Sequence, residues 1–493
     1  MKRVASGILP LIAIDRNLAT PLHRQIYNSY RDGILGGQLR PGQRIPSTRV
    51  LASEIGVSRF PVLNAYAQLI AEGYIESRVG AGTVVSADLP ERLTTSASAR
   101  SGTAPGRSGP RRIAGRCSLL PAREVFPWLQ RWGAFRVGQV ALDQFPNDIW
   151  SLLVARHCRR VNVSSIHYGE MMGRKALREA IANYLRTARS VRCEPEQVLI
   201  VNGSQQALDL SARVLLNPGD GVWMEEPGYQ LARDVFVING CRPVPVSVDL
   251  EGLDVVAGTR KCHRAKAAFV TPSHQFPLGV TMSASRRLQL IEWAQSVGAW
   301  IIEDDYDSEY RYESLPIASL QGLDANSRVI YIGTFSKVLF PSLRLGYIVI
   351  PPDLVAPFVA VRKIMDLSVP TLLQDVLADF IEEGHFARHI RRMRVLYGDL
   401  RRVLVANLRR ALGDLVELVG DEAGMHLAIM LRRKGLEDEQ IALRAAAQNL
   451  ALWPLSRSYF GEPRPGFILG FGGTTKKEIP AAVRRLTNLM SAR

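Results

Sequence analysis

Cysteine is scarce in this chain. Its 493 residues hold five, Cys117, Cys158, Cys193, Cys241 and Cys262, an odd number widely spaced. No C-x-x-C pair occurs, so neither a disulfide framework nor a cysteine zinc site is suggested. That sparing use fits a reducing cytoplasm. Long hydrophobic runs are missing too: no stretch of about 18 apolar residues exists, which argues against a membrane span. The opening "MKRVASGILPLIAI" mimics a leader only in part, because Pro10 interrupts it, Asp15 ends it and no clear cleavage site follows. No signal peptide is expected. Acidic residues are outnumbered, 46 against 62 Lys and Arg, which leaves a net charge of +16. Such an excess favours a polyanionic partner, most simply nucleic acid. Apolar content is ordinary at 47%. The length allows about three domain-sized units at roughly 150 residues each.

Residues 88–117, "DLPERLTTSASARSGTAPGRSGPRRIAGRC", are rich in Ser, Gly, Ala, Pro and Arg and have no apolar periodicity. This reads as a flexible basic linker, a solvated tether carrying Arg92, Arg100, Arg107, Arg111, Arg112 and Arg116 against Asp88 and Glu91. Before it, "PLHRQIYNSYRDGILGG" spaces Leu22, Ile26, Tyr30 and Ile34 four apart, one face of a helix that Gly36 and Gly37 end. In "IPSTRVLASEIG", Ser47 can cap a short helix that buries Leu51 and Ile55. In "VSRFPVLNAYAQLIAEGY", Ser58 is a second cap, Val62, Tyr66, Leu69 and Ile70 form the buried stripe, and Gly73 closes the helix. Two short helices about a tight turn, the second opening on arginine, make a helix-turn-helix. "YIESRVGAGTVV" adds two strands about a glycine turn, the shape of a wing.

Taken together, "RPGQRIPSTRVLA", "GVSRFPVLNAY", "LIAEGYIESR" and "GAGTVV" resemble the GntR-type winged helix-turn-helix, an α+β DNA-binding fold. The resemblance covers roughly residues 20–86, within a domain expected over 15–87. It implies that Arg49 and Arg59 contact duplex DNA, that Ser58 lies near a phosphate, and that Arg78, Gly80 and Thr83 of the wing reach an adjacent groove. Arginine suits phosphate and guanine edges, and helix N-termini suit phosphate, so the chemistry agrees. Arg44 divides evenly between contact and solvated charge. Pro61 stands where the family usually has threonine; the helix tolerates proline in its first turn, at the loss of one hydroxyl.

From about residue 165 strand-like and helix-like runs alternate, an α/β pattern. "QVLIVNGSQQALDLSARVLL" reads strand, turn, helix, and its free N–H groups suit a phosphate. "GDGVWMEEPGYQ" delivers Tyr229 past a strand end. "AWIIEDDYDSEY" presents Asp304, Asp305 and Tyr306, and "RVIYIGTFSK" leads to Lys337. Ligands of open parallel sheets sit at the carboxyl ends of strands, where all four elements place these residues. A lysine that can lose its proton condenses with aldehydes. The hydroxyls and arginine of "GTFSKVLFPSLRLGY" suit a phosphate beside that lysine. A phosphorylated aldehyde whose ring nitrogen needs a carboxylate is pyridoxal phosphate.

From "HYGEMMGRKALREAIANYL" to about residue 350 the chain resembles the fold-type I pyridoxal-phosphate enzymes, the aminotransferase fold. The resemblance implies that Lys337 holds the cofactor as an internal aldimine, Asp304 pairs with the pyridinium nitrogen, Tyr306 meets the ring hydroxyl and Tyr229 stacks on the ring. Gly203, Ser204, Gln205, Thr334, Ser336 and Arg344 would form the phosphate cup. Tyr168 would reach the phosphate of a partner subunit, which implies a homodimer. Asp305 reads as structural or solvated. Two departures count against an ordinary aminotransferase: Phe276 in "HQFPLG" replaces an asparagine, and Ile468 in "GFILGF" stands near where an arginine usually takes the substrate carboxylate. Arg457 and Arg464 read as surface residues. His385 and His389 lie one helical turn apart without the glutamate of a zinc motif, so a solvated face is expected and no metal site.

The "TPSHQFPLG" version of the motif behind a winged helix resembles the MocR family of pyridoxal-phosphate-dependent transcriptional regulators. The expected organisation is a multidomain chain: the winged helix, the linker, a large cofactor-binding domain over 118–370 and a small domain over 371–493. The expected function is a cytoplasmic, DNA-binding regulator rather than an enzyme. A small amine or amino acid, or pyridoxal phosphate itself, would act at Lys337 and alter operator binding. Two alternatives stand beside it: an aminotransferase with an accessory DNA-binding domain, and a winged-helix protein whose large domain has lost its cofactor.

Overall fold

A computed structural model describes residues 14–78, 82–87, 113–120, 133–159, 167–312, 317–433 and 435–491. The chain forms two compact units, Met1–Arg112 and Ile113–Arg493. In the first, helices α1 (Leu22–Leu35), α2 (Thr48–Glu54) and α3 (Arg59–Ala71) precede strands β1 (Ile75–Arg78) and β2 (Gly82–Val85). The Ser47 side chain accepts from the Val50 N–H and so starts α2. Ile26, Tyr30 and Ile34 of α1 meet Leu51 of α2 and Val62, Tyr66 and Leu69 of α3 in one core. Ile70 lies outside that stripe and is exposed. β1 and β2 pair antiparallel, and the backbone of 42–45 joins β2 as a third rung through Ile45 N–H to Thr83 O and Val85 N–H to Gln43 O, each 2.9 Å.

In the second unit, α4 (Asn147–Arg159) and α5 (Lys175–Ala188) lead into β3 (Val198–Val201), α6 (Ser204–Leu215), β4 (Gly221–Glu226), α7 (Gln230–Ile238), β5 (Arg242–Asp249), β6 (Gly252–Leu253), β7 (Ala267–Val270), α8 (Ala284–Val297), β8 (Trp300–Asp305), β9 (Val329–Thr334) and β10 (Gly346–Val349). The sheet order is β3-β10-β9-β8-β7-β4-β5-β6. β9, β8, β7, β4 and β5 run parallel, and β10 is antiparallel to both its neighbours. The inner strands are buried throughout, as expected where helices cover both faces of a parallel sheet. The last residues of the expected linker, 115–117, begin a short 3-10 turn, Gly115–Leu119, that lies against α7. Residues 88–112 lie outside the described residues.

Beyond the sheet come α9 (Val355–Met365), α10 (Leu372–Glu382), the 28-residue α11 (His385–Leu412), β11 (Val416–Val419), β12 (His426–Leu431), β13 (Trp453–Pro454), β14 (Gly466–Gly470) and α12 (Glu478–Ser491). The four strands form an antiparallel sheet ordered β11-β12-β14-β13. Packing here cuts across chain order. α10 packs on α4 and α5 of the larger body. Residues 134–135 bond to the smaller one, with Ala134 N–H to Asn449 O at 3.1 Å, Ala451 N–H to Ala134 O at 2.8 Å and Gly470 N–H to Phe135 O at 3.0 Å. The smaller body therefore takes in a strap that precedes the large sheet in sequence, and residue 371 does not part the two. Linear order carries no trace of such a swap, because each segment follows whichever apolar surface buries it.

Candidate functional site

In the first unit the two short helices bring Arg49, Ser58 and Arg59 to exposed positions around the turn. Ser58 has the extended backbone of an N-cap but its side chain makes no capping bond. Its exposed hydroxyl stands beside the unpaired N–H groups of the first turn of α3, an arrangement suited to phosphate. Arg59 Nε donates to Thr48 Oγ1 at 3.1 Å and ties the helices together. Pro61 sits in the first turn, where no backbone bond is lost. Thr83 is half-buried in β2. Arg44 forms a β-bridge with Val84, and its guanidinium lies over Gly82, so it packs on the wing. The backbone of Arg78 pairs with Gly82; Gly80 lies outside the described residues.

In the second unit the carboxyl ends of β3, β4, β8 and β9 open on one cavity of about 310 Å³. Ser204, Gln205, Tyr229, Asp304, Tyr306, Thr334, Ser336, Lys337 and Arg344 line it, with Val137 and Gly138 of the strap, Phe276, Asp307, Met425 and His426. Gly203 has φ +85° and starts α6; a Cβ there would meet the Arg344 guanidinium at 3.3 Å. Arg344, in left-handed backbone, donates to Asn202 O at 2.8 Å, so its charge faces the N-terminus of α6. Two features on one side of the cavity thus favour an anion: a helix N-terminus and a guanidinium. Gln205 Nε2 donates to the Tyr229 hydroxyl at 3.1 Å and fixes that ring at the mouth of the cavity. The Ser336 N–H donates to Thr334 Oγ1 at 3.2 Å and shapes the turn before the lysine.

Burial lowers the proton affinity of the Lys337 amine, while Asp307 and Asp304 pull it back up. Burial, with help from Asp305 and Asp307, raises Asp304 to about 7, and Lys337 opposes that. One Asp304 oxygen is buried without a hydrogen-bond partner. A carboxylate so placed fits a cationic ring nitrogen, and the amine beside it fits an aldehyde carbon. The donor set therefore suits pyridoxal phosphate on charge, chemistry and position.

Asp305 points away from the cavity: its Oδ2 accepts from Arg189 Nε at 2.9 Å and from the Tyr331 hydroxyl at 2.5 Å. Tyr306 donates to His274 O at 2.8 Å, and His274 Nδ1 lies 3.0 Å from Asp307 Oδ2. With His426, whose ring centroid is 4.5 Å from that of His274, they form a buried polar cluster under the cavity that sequence reasoning missed. Asp307 also accepts from the Met425 N–H at 3.2 Å, which ties the two bodies together at this point. Tyr168 is 76% exposed and outside the cavity. Ile468 is fully buried with Leu278, Ala428 and Leu455, and Arg457 pairs with Glu439 at 2.7 Å; Arg464 is exposed. The expectation of a solvated histidine face on α11 needs correction. His389 is 5% exposed and burial pushes it down to about 4, while His385 contacts Glu383 and Arg388.

A winged helix-turn-helix and an aminotransferase-type α/β body with a lysine-bearing cavity define a class of fused protein. Residues 22–85 match the model described as bacterial regulatory proteins, gntR family, and residues 156–486 match aminotransferase class I and II. The chain is 41% identical to the probable rhizopine catabolism regulatory protein MocR of Rhizobium meliloti, over 98% of this chain and 96% of that one. It is 32% identical to the HTH-type transcriptional regulator TauR of Rhodobacter capsulatus, covering 95% and 96%. Among solved structures, LysN, an alpha-aminoadipate aminotransferase of Thermus thermophilus complexed with N-(5'-phosphopyridoxyl)-L-leucine, aligns with a TM-score of 0.71 at 28% identity, covering 77% of this chain and 97% of that one. The chain belongs to the MocR-type transcriptional regulators, in which a GntR-type helix-turn-helix precedes an aminotransferase class I and II domain. Among the described residues no helix is long and apolar enough to cross a membrane.

Proposed function

We propose that this regulator carries pyridoxal phosphate on Lys337 and that a small amine or amino acid, or the cofactor's own binding, alters its grip on operator DNA. When bound, pyridoxal phosphate supplies an aldehyde that condenses with primary amines and a ring that accepts electrons. The observation that carries the reading is the Lys337 amine, half-buried in the cavity that Asp304 and Arg344 also line. Burial favours the neutral, nucleophilic form of the amine, against the pull of Asp307 and Asp304. Asp304 would hold the ring nitrogen; Arg344, Ser204, Gln205, Ser336 and the N-terminus of α6 would hold the phosphate; Tyr229 would cover a ring face and Tyr306 would meet the ring hydroxyl. Exposed Tyr168 would complete the site of a partner subunit in a homodimer. Arg49, Ser58, Arg59, Arg78, Gly80 and Thr83 would contact the DNA in the cytoplasm.

With the cofactor bound, an incoming amine would leave the Lys337 side chain free inside a cavity that both bodies of the second unit line. Such an effector switches transcription only by binding one arrangement of the protein more tightly than another, because equal affinity shifts nothing. Purified protein should be coloured, and borohydride should bleach it by fixing the Lys337 bond. Lys337→Ala should abolish the band and the response of operator binding to amines; an unchanged response would refute the mechanism. Steady amino-group turnover is the second reading, favoured by the likeness to LysN. The apolar packing of Ile468 supports the regulator instead. Measuring turnover with an amino donor and a keto acid separates the two.

A further inference from the structure

Helix α3 has two faces of different kinds. One, Val62, Ala65, Tyr66 and Leu69, is fully committed to the core. The other carries Phe60, Leu63, Asn64 and Ala67, which recur at helical spacing and are all exposed. Phe60 is 70% exposed and Leu63 41%. A large aromatic left in water at the start of a helix adds nothing to the packing below it, so its use lies elsewhere. The face has no charged residue of its own, while exposed Arg59 begins the same helix and exposed Arg49 lies on α2. An apolar strip bordered by cations matches a DNA major groove: phosphates at the rim and, within, the thymine C5-methyl as the apolar feature of the base edges.

We propose that the outward face of α3 reads A·T base pairs, with Phe60 and Leu63 against thymine methyls and Asn64 against an adenine edge. Asparagine is suited to adenine because its amide donates to N7 and accepts from the N6 amino group at once. The face thus selects by apolar contact and one amide, at the end of the helix where Pro61 supplies no hydroxyl. The proposal rests on the DNA-binding reading above and adds the base chemistry to it.

The test uses the full-length protein. A duplex is first selected from a randomised pool, and a second duplex is made with deoxyuridine for every thymidine, which keeps the pairing and removes only the methyls. Wild type should bind the uracil duplex about five- to tenfold more weakly, the scale of one or two buried methyl groups. Phe60→Ala should lose most of that preference, and Phe60→Ala with Leu63→Ala should bind both duplexes alike, at about the affinity of wild type for uracil. Phe60→Leu should restore part of the preference. The proposal is overturned if wild type does not distinguish the duplexes or if Phe60→Ala keeps the wild-type preference. A Phe60→Ala change in oligomeric state with intact methyl preference would make the face a protein contact instead. Failure of wild type to select any duplex would remove the DNA-binding reading, and this proposal with it.

Discussion

Asp304→Asn should make the cofactor-free protein more stable in neutral and alkaline solution. The carboxyl group is 4% exposed and is raised from its ordinary 3.8 to about 7, chiefly by burial. Below about pH 4 it is protonated in the folded and the unfolded chain alike and contributes no pH dependence. Between about pH 4 and 7 the unfolded chain releases the proton while the folded chain keeps it, so stability falls as pH rises. A difference of about three units at about 1.4 kcal/mol each makes the loss about 4 kcal/mol above pH 7. Asparagine pays for burial once, as a neutral group, and shows no such slope; losing the attraction of Asp304 for Lys337 trims the gain. Glu225, Glu303 and Glu309 are also raised to about 7 by burial, but both proteins share them, so the difference isolates residue 304. Thermal unfolding of both cofactor-free proteins from pH 4 to 9 reads the effect. The curves should meet in acid and diverge by up to a few kcal/mol in favour of the variant in base. Parallel curves would refute the argument that this carboxylate is held ready, at a cost, for a cation. Pyridoxal phosphate should then stabilise wild type much more than the variant.

Arg344→Ala removes the guanidinium from beside the N-terminus of α6 and should weaken pyridoxal phosphate binding at least about tenfold in an absorbance titration, the worth of one charge-assisted hydrogen bond. Affinity for pyridoxal, which lacks the phosphate, should barely change. Arg59→Ala should lower DNA affinity and reduce the slope of log affinity against log salt by about one; an unchanged slope would exclude a phosphate contact. Arg189→Ala strands the buried Asp305 carboxylate and should destabilise the protein by about 3–5 kcal/mol in denaturant unfolding, whereas a neutral result would contradict the ion pair.

Much of this architecture was legible because its signals are local. Ser47 caps α2, Ile26, Tyr30 and Ile34 face the core, and the polar residues Asp304 and Lys337 appear where apolar strands run out. The features that escaped are those that distant segments make together. His274 and His426 lie 152 positions apart in sequence, and neither sits in a local pattern that would pair them. His389 follows a helical spacing that looks solvated, yet α11 turns it inward against Phe145. Ile70 fits the stripe of α3 by hydrophobicity, but it lies seven residues after exposed Leu63, on the side of the helix turned from the core.

The strap near residue 138 passes close to the lysine amine on one side. A single methyl group added at Gly138 would collide with Lys337 Nζ, and the residues just before it are hydrogen-bonded to the smaller body. The segment beside the amine is thus continuous with one that is fastened to that body. A side chain larger than hydrogen at position 138 would press on the free end of the lysine and turn it toward the cavity that it lines.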